Sequence, residues 1–282
     1  MDFTLTTYRT LLEALLGAGY TFQTFEEFVT FPKLRTVVLR HDIDRLPDQS
    51  LLFAHLQQER GVKGSYYFRI VPASFNEQII EEISALGHEI GYHYEDVAEI
   101  SQRTEALGGD GRRSKDEVQS TLLQLALESF EINLTRLRQV ATIKTICMHG
   151  SPLSKWDSRL LWTKYDYHDF GIIGEPYFDI DFTHVAYYTD TGRRWDGDRV
   201  SRRDKIMNPV TQVIAAEKFP RFHTTFDIIN AANSGELPEQ IMFTFHPQRW
   251  HDRWWPWSKE LVWQNIKNIA KFGLITHHKT AE

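Results

Sequence analysis

Four apolar, strand-like runs in this chain, residues 36–44, 88–95, 145–152 and 241–247, each end in histidine beside carboxylate or other polar residues. Stretches with helical spacing separate them. A chain that alternates strand and helix builds a parallel sheet with helices packed against it. All its strands then open on one rim, where α/β barrels and open α/β sheets assemble their sites. Several strands of this chain are therefore expected to deliver ligands and acid–base groups to one place.

Apolar residues recur at helical spacing over residues 8–16, and Gly17 and Gly19 end that helix. A second short helix is expected over 22–31, with Thr24 as N-cap. The β-branched run 36–39 reads as a strand, and Pro47 opens a helix that runs to Gly61. Strand 65–70, helix 76–86 and strand 88–93 repeat the cycle. Residues 101–115, with Gly108-Gly109-Asp110-Gly111, read as a polar loop or insertion. A long helix follows over 115–138, with Val118, Leu122, Leu125, Leu127, Phe130, Leu134 and Leu137 inward. Strand 143–148 and a short helix near 157–163 come next. Residues 165–220 are the least regular, with short strands expected near 172–173 and 185–188. Helix 225–232, strand 241–245 and helix 260–272 close the pattern. No internal repeat or linker divides the 282 residues, so one domain is expected over 1–282.

Hydrophobic residues make up 41% and charged residues 25% of the chain, enough for a substantial core and unlike a disordered polymer. A formal charge of −6 argues against a nucleic-acid partner, because phosphate contacts need clustered Lys and Arg. The one cysteine, Cys147, excludes an intrachain disulfide and, inside an apolar run, reads as a structural thiol. No run approaches the ~18 apolar residues of a membrane span. The first residues lack the basic and apolar regions of a signal peptide, so a cytoplasmic location is expected.

Asp42 and Asp44 are two apart, which on a straight strand puts both on one side, although a bending strand end lets them diverge. Two carboxylates at one mouth suit a base beside a metal ligand, since a cation keeps one ionised while the other takes a proton. An N-cap and turn cluster before the Pro47 helix is the alternative. His93 precedes Tyr94, Glu95 and Asp96, and imidazole plus carboxylate is a usual ligand set for Zn²⁺. His88, at the other end of that strand, reads as structural. His149 enters Gly150-Ser151-Pro152 and stands open as a metal ligand, a substrate donor or a support for another ligand. His246 ends the last strand, and a near-neutral imidazole is a natural general acid for an expelled amine. Trp250, Trp254, Trp255 and Trp257 behind it read either as core or as a stacking face for sugars. No Cys-x-x-Cys pair, phosphate-cradling glycine loop, nucleophile elbow or dinucleotide fingerprint is present.

Together these motifs resemble the polysaccharide deacetylase family, also called NodB-homology or carbohydrate esterase family 4. His41-Asp42-Ile43-Asp44 looks like the family's opening acidic motif. Gly87-His88-Glu89-Ile90-Gly91-Tyr92-His93 is very similar to its Gly-His-Glu-Ile-Gly-x-His stretch, and Phe243-Thr244-Phe245-His246 resembles its late strand motif. His149-Gly150-Ser151-Pro152 stands where an Arg-x-Pro element usually lies. The resemblance spans roughly residues 36–250. It implies an α/β fold, a distorted (β/α)7-type barrel with helical and loop insertions, and a metal-dependent hydrolase that removes an acetyl group from a carbohydrate. It implies Asp42 as base, His246 as acid, and Asp44 and His93 as ligands of a divalent metal, Zn²⁺ ahead of Ni²⁺, Co²⁺ or Mn²⁺. The family's second metal histidine falls four residues after the first, where this chain has Val97. Glu95 is the expected replacement, with Asp96 or His149 as alternatives.

Residues 187–195 look like those of divergent members from bacterial surface-polysaccharide gene clusters (O-antigen or capsule). That branch implies a nucleotide-linked, lipid-linked or oligomeric sugar as substrate. The substrate contacts expected are His41, His149, Asp190, Arg194, Trp195 and Trp250. A metal-free carbohydrate-binding or scaffolding protein of the same fold is the other reading, motivated by Val97.

Overall fold

The computed structural model describes residues 1–106, 115–151, 154–196 and 208–279. Seven strands form one parallel sheet: β1 (Thr21–Gln23), β2 (Thr36–Ile43), β3 (Ser65–Phe68), β4 (Glu89–Tyr94), β5 (Ile143–Met148), β6 (Ala186–Thr189) and β7 (Gln240–Phe245). The order is β5-β4-β3-β2-β7-β6, with β1 beside β2. Strand β2 is the hub. Along one edge it pairs with β7 from Thr36↔Gln240 to His41↔Phe245. Along the other, β1 takes residues 36–38 and β3 takes residues 40–43. All four polar strand ends therefore open on the same side of one sheet. Among the described residues no strand pairing joins β5 to β6.

Every residue of β2 is buried, as expected of a parallel strand covered on both faces. Alternation then sorts its side chains. Val37, Leu39, His41 and Ile43 share one face with Phe245 of β7 and Tyr66 of β3, against the helices. Arg40, Asp42 and Asp44 share the other. That split decides which residues of the opening motif reach the site.

Helix α1 (Leu5–Gly17) is capped by Thr4, buries Leu11, Leu12 and Leu15, and packs on α9 (Thr225–Ser234). In α2 (Phe25–Thr30), Thr24 and Glu27 close a capping box. Helix α3 (Pro47–Gln58) has proline in its first turn, and Asn76 caps α4 (Glu77–Ala85). Helix α5 (Asp96–Ala106) packs on α6 (Lys115–Arg138). Next come two short 3-10 segments, then α7 (Pro176–Asp179), α8 (Pro209–Lys218), α9, and α10 (Trp254–Lys279).

Several expectations need correction. Residues 101–106 are helical rather than loop, and 107–114 lie outside the described residues. The buried stripe of α6 is Leu122, Leu123, Ala126, Phe130, Leu134 and Leu137, which leaves Val118 and Leu125 on the exposed side. No strand forms at 172–173; a single bridge joins Thr145 to Gly174. Helix α10 starts at Trp254, six residues before its expected start at 260. Pro256 does not prevent this, because in the first turn its missing N–H has no helical partner to lose.

Gly91, in the middle of β4, lies where the sheet interior leaves no room for a side chain. A Cβ there would penetrate the Tyr67 ring and come within 3.1 Å of the Thr145 carbonyl. The Tyr67 hydroxyl is tied to the Thr145 hydroxyl at 3.0 Å, so the ring has little room to yield. Gly91→Ala is expected to destabilise the fold by about 1–3 kcal/mol, the usual cost of overpacking, measured as a lower urea midpoint.

Candidate functional site

The site begins with Arg40 and Asp42 at alternate positions of β2 and with Asp44 just past its end. The Arg40 guanidinium is fully buried and holds Asp42 by two bonds, Nε–Oδ1 at 3.0 Å and Nη2–Oδ2 at 2.8 Å. The Tyr177 and Tyr187 hydroxyls lie 3.4 and 3.5 Å from the same guanidinium. Burial pushes the Asp42 carboxyl up, but the charges of Arg40, His93 and His246 outweigh it and hold the group below the ordinary carboxylate range. Asp42 is thus an ionised acceptor with a fixed orientation.

His93 of β4 faces Cys147 of β5 in register. Its Nδ1–H donates to the Cys147 carbonyl at 2.9 Å, which leaves the Nε2 lone pair pointing inward. That atom lies 3.6 Å from Asp44 Oδ1, 3.2 Å from His149 Nδ1 and 3.9 Å from Asp42 Oδ2. His149 Nδ1 is in turn 3.2 Å from Asp44 Oδ1. Atoms bound at ~2.0–2.2 Å around a tetrahedral cation stand roughly 3.3–3.6 Å apart, so this triangle has the size of a ligand face. Asp44 Oδ1 is also sealed from solvent, with the His149 and His93 ring nitrogens as its neighbours, while Oδ2 accepts from Gln248 at 3.0 Å. Burial raises the Asp44 pKa, yet His149, with His93 and His246, holds it well below the ordinary range. Asp44, His93 and His149 form one group able to hold a metal, and Asp42, His93 and Cys147 form a second beside it. The Cys147 thiol, read from the sequence as structural only, belongs to that second set.

Glu95, the expected replacement ligand, stands outside both groups. Arg69 Nε binds its Oε1 at 2.6 Å, and the Ser151 hydroxyl donates to its Oε2 at 3.0 Å. That Oε2 lies 3.8 Å from His149 Nε2, so Glu95 backs the imidazole whose other nitrogen faces Asp44. Asp96 is turned away, accepting from Tyr92, Ser129 and Asn133. Val97 is fully buried in the core. His149, the alternative, stands in the group instead, because its backbone N–H continues the ladder onto the Tyr94 carbonyl at 2.8 Å and sets it beside His93.

His246 ends β7 opposite these groups. Asp190 accepts from its Nδ1 at 2.6 Å and from its backbone N–H at 2.9 Å. Arg249 Nη1 and Trp250 Nε1 hold the same carboxylate at 3.0 and 2.7 Å. Donation from Nδ1 leaves Nε2 on the far side of the ring, and His246 helps to hold both Asp42 and Asp44 below the ordinary carboxylate range.

Most expected substrate contacts are supports instead. Asp190 and Trp250 have no exposed surface, and Trp195 packs against Phe243 and Phe245 with its Nε1 on Thr225. His41 lies on the helix-facing side, 3.3 Å from the Tyr8 hydroxyl and 3.0 Å from Gln57, with Nδ1 donating to the Ser65 carbonyl. Burial pushes its pKa down to about 3, so it is neutral there. Arg194 forks onto Asp196 at 2.6 and 2.7 Å. Of the six residues expected to touch substrate, His149 alone lies among the clustered ligand atoms. The sequence reading missed Arg40, Arg69, Gln248 and Arg249; only Arg40 carried a signal, its two-residue spacing from Asp42.

Comparison with family models, with curated proteins and with solved structures finds no match for this chain.

Beneath the rim, Glu175 is fully buried, with Oε1 accepting from the Met148 N–H at 3.0 Å and Oε2 from the Tyr177 N–H at 2.6 Å. Burial pushes its pKa from 4.5 up to about 7, against the pull of those N–H groups and of Arg40 and Arg159. Between those two values the folded chain keeps a proton that the unfolded chain has released. This group's contribution is therefore most favourable below pH 4.5 and is lost as pH rises toward about 7. Glu175→Gln should flatten that decline by on the order of 1–3 kcal/mol, read as the wild-type minus variant difference in urea unfolding at acid and neutral pH.

Proposed function

We propose that this chain is a metal-dependent hydrolase that removes an acetyl or other N-acyl group from a carbohydrate or sugar-containing precursor, on a distorted (β/α)7-type barrel. The observation that carries the reading is the meeting of two half-sites. Asp44, His93 and His149 converge on one point, and the Arg40-held Asp42 and Asp190-held His246 stand beside it. The sequence motifs that resemble polysaccharide deacetylases supply the substrate class, and with it a role in surface-polysaccharide assembly inside the cell.

Two imidazoles and one carboxylate suit Zn²⁺ first, with Ni²⁺, Co²⁺ or Mn²⁺ as alternatives. When bound, the cation polarises the acyl carbonyl and acidifies a water molecule. Asp42 takes a proton from the attacking water, and its two bonds to Arg40 keep it aimed and ionised beforehand. His246 delivers a proton from Nε2 to the departing nitrogen as the C–N bond breaks, giving the free amine and the carboxylate product. Asp190 holds that imidazole by its Nδ1–H and stabilises its charged form. The convergence of the sealed Asp44 Oδ1 with one ring nitrogen each of His93 and His149, at the spacing of a ligand face, favours this reading over a metal-free binding protein.

Asp42→Asn and His246→Ala are each expected to slow deacetylation of an N-acetyl-sugar probe by about 10²–10⁴-fold. His149→Ala should abolish tight divalent-metal binding in calorimetry, whereas Glu95→Gln should weaken it about 10–100-fold. A wild-type protein that takes up no divalent ion, together with full activity in Asp42→Asn, would overturn the proposal.

A further inference from the structure

Helix α10 buries polar residues beside the half-buried Trp257 and Leu261 and exposes apolar ones. Its protein-facing side carries Glu260 and Gln264, only 7% and 6% exposed. Glu260 accepts from Arg45 at 3.0 Å and from Gln264 at 2.6 Å. The solvent side carries Trp255, Val262 and Ile266, which are 70%, 58% and 53% exposed, with Trp254 at 65% beside them. Positions 255, 262 and 266 recur at i, i+7 and i+11, which is one helix face. A helix that simply completes a soluble core buries the apolar side instead.

The charge pattern identifies the occupant. The helix holds Lys259, Lys267, Lys271 and Lys279 against the single acid Glu260, a net of +3 in a chain whose total is −6. That acid is the one turned inward, and exposed Lys259 stands on the apolar side between Trp255 and Val262. Tryptophan and lysine around an apolar stripe is the composition of helices that lie in a membrane interface, with indoles at the headgroup level and ammonium groups on anionic lipid. A second copy docking by the same face would oppose lysine to lysine across a two-fold axis. No helix among the described residues is long and apolar enough to cross a bilayer. We infer that α10 is an in-plane anchor for an anionic lipid surface. The Arg45–Glu260 pair ties this anchor to the residue directly after Asp44, so it lies beside the rim. The inference stands on the helix alone and holds whatever reaction the rim performs.

The test is sedimentation of the full chain with vesicles of phosphatidylcholine alone or mixed with phosphatidylglycerol. Binding to the mixed vesicles should be roughly tenfold or more stronger and should weaken as salt rises. The triple variant Trp255→Ser, Val262→Ser, Ile266→Ser should lose binding to mixed vesicles by roughly tenfold or more, with its far-ultraviolet circular dichroism unchanged. Lys259→Glu, which leaves the apolar face intact, should weaken only the phosphatidylglycerol-dependent part. Absence of that dependence in the wild type, or unaltered binding by the triple variant, overturns the inference. So does a dimer in light scattering that the triple variant dissolves, which would assign the face to a second copy.

Discussion

The buried pair between Arg40 and Asp42 is the interaction on which the rim depends. Taking a guanidinium and a carboxylate out of water costs several kcal/mol per ion, recovered only by close, correctly oriented bonds. Here two such bonds join them, and two tyrosine hydroxyls line the guanidinium. The pair sits on the central strand, which β1, β3 and β7 all flank. Its burial requires the other half of β2 to be apolar and to pack on the helices, as Val37, Leu39 and Ile43 do. The same alternation that hides the charges thus fixes the strand's register and face.

The other candidate groups of the rim are held in the same way. The Cys147 carbonyl fixes the tautomer of His93, Glu95 backs His149, and Asp190 orients His246 while Arg249 and Trp250 hold Asp190. In each case the orientation of one side chain is set because its opposite side is occupied. Such arrangements keep side chains near their productive geometry before any ligand arrives.

Much of this was legible in the sequence, and the failures are instructive. The polar strand ends were readable because short apolar runs and terminal histidines coincide in four places. The helix over 115–138 was readable to its bounds because its apolar repeat is long. β1 was missed because three residues carry too little pattern. His41 was misassigned by adjacency: one step along a strand from Asp42 moves a side chain to the opposite face. Trp250 read as core or as a sugar platform and Trp195 as a substrate contact; each indole N–H has a buried partner far away in the chain, Asp190 and Thr225. Those pairings are invisible in linear spacing.

The replacement of an expected ligand illustrates the same limit and its remedy. A histidine four residues after His93 would rise from the first turn of α5, where Val97 now fills the core. Strand pairing supplies another route. His93 faces Cys147 and Tyr94 faces Met148, so residue 149 emerges at the level just above His93. Two steps from Cys147, it also returns to the inner face of the sheet. Parallel register and alternation together therefore bring the His149 imidazole to the point that His93 and Asp44 already face. The ligand geometry can then be completed from the adjacent strand rather than from the following helix, and Val97 is free to serve the core.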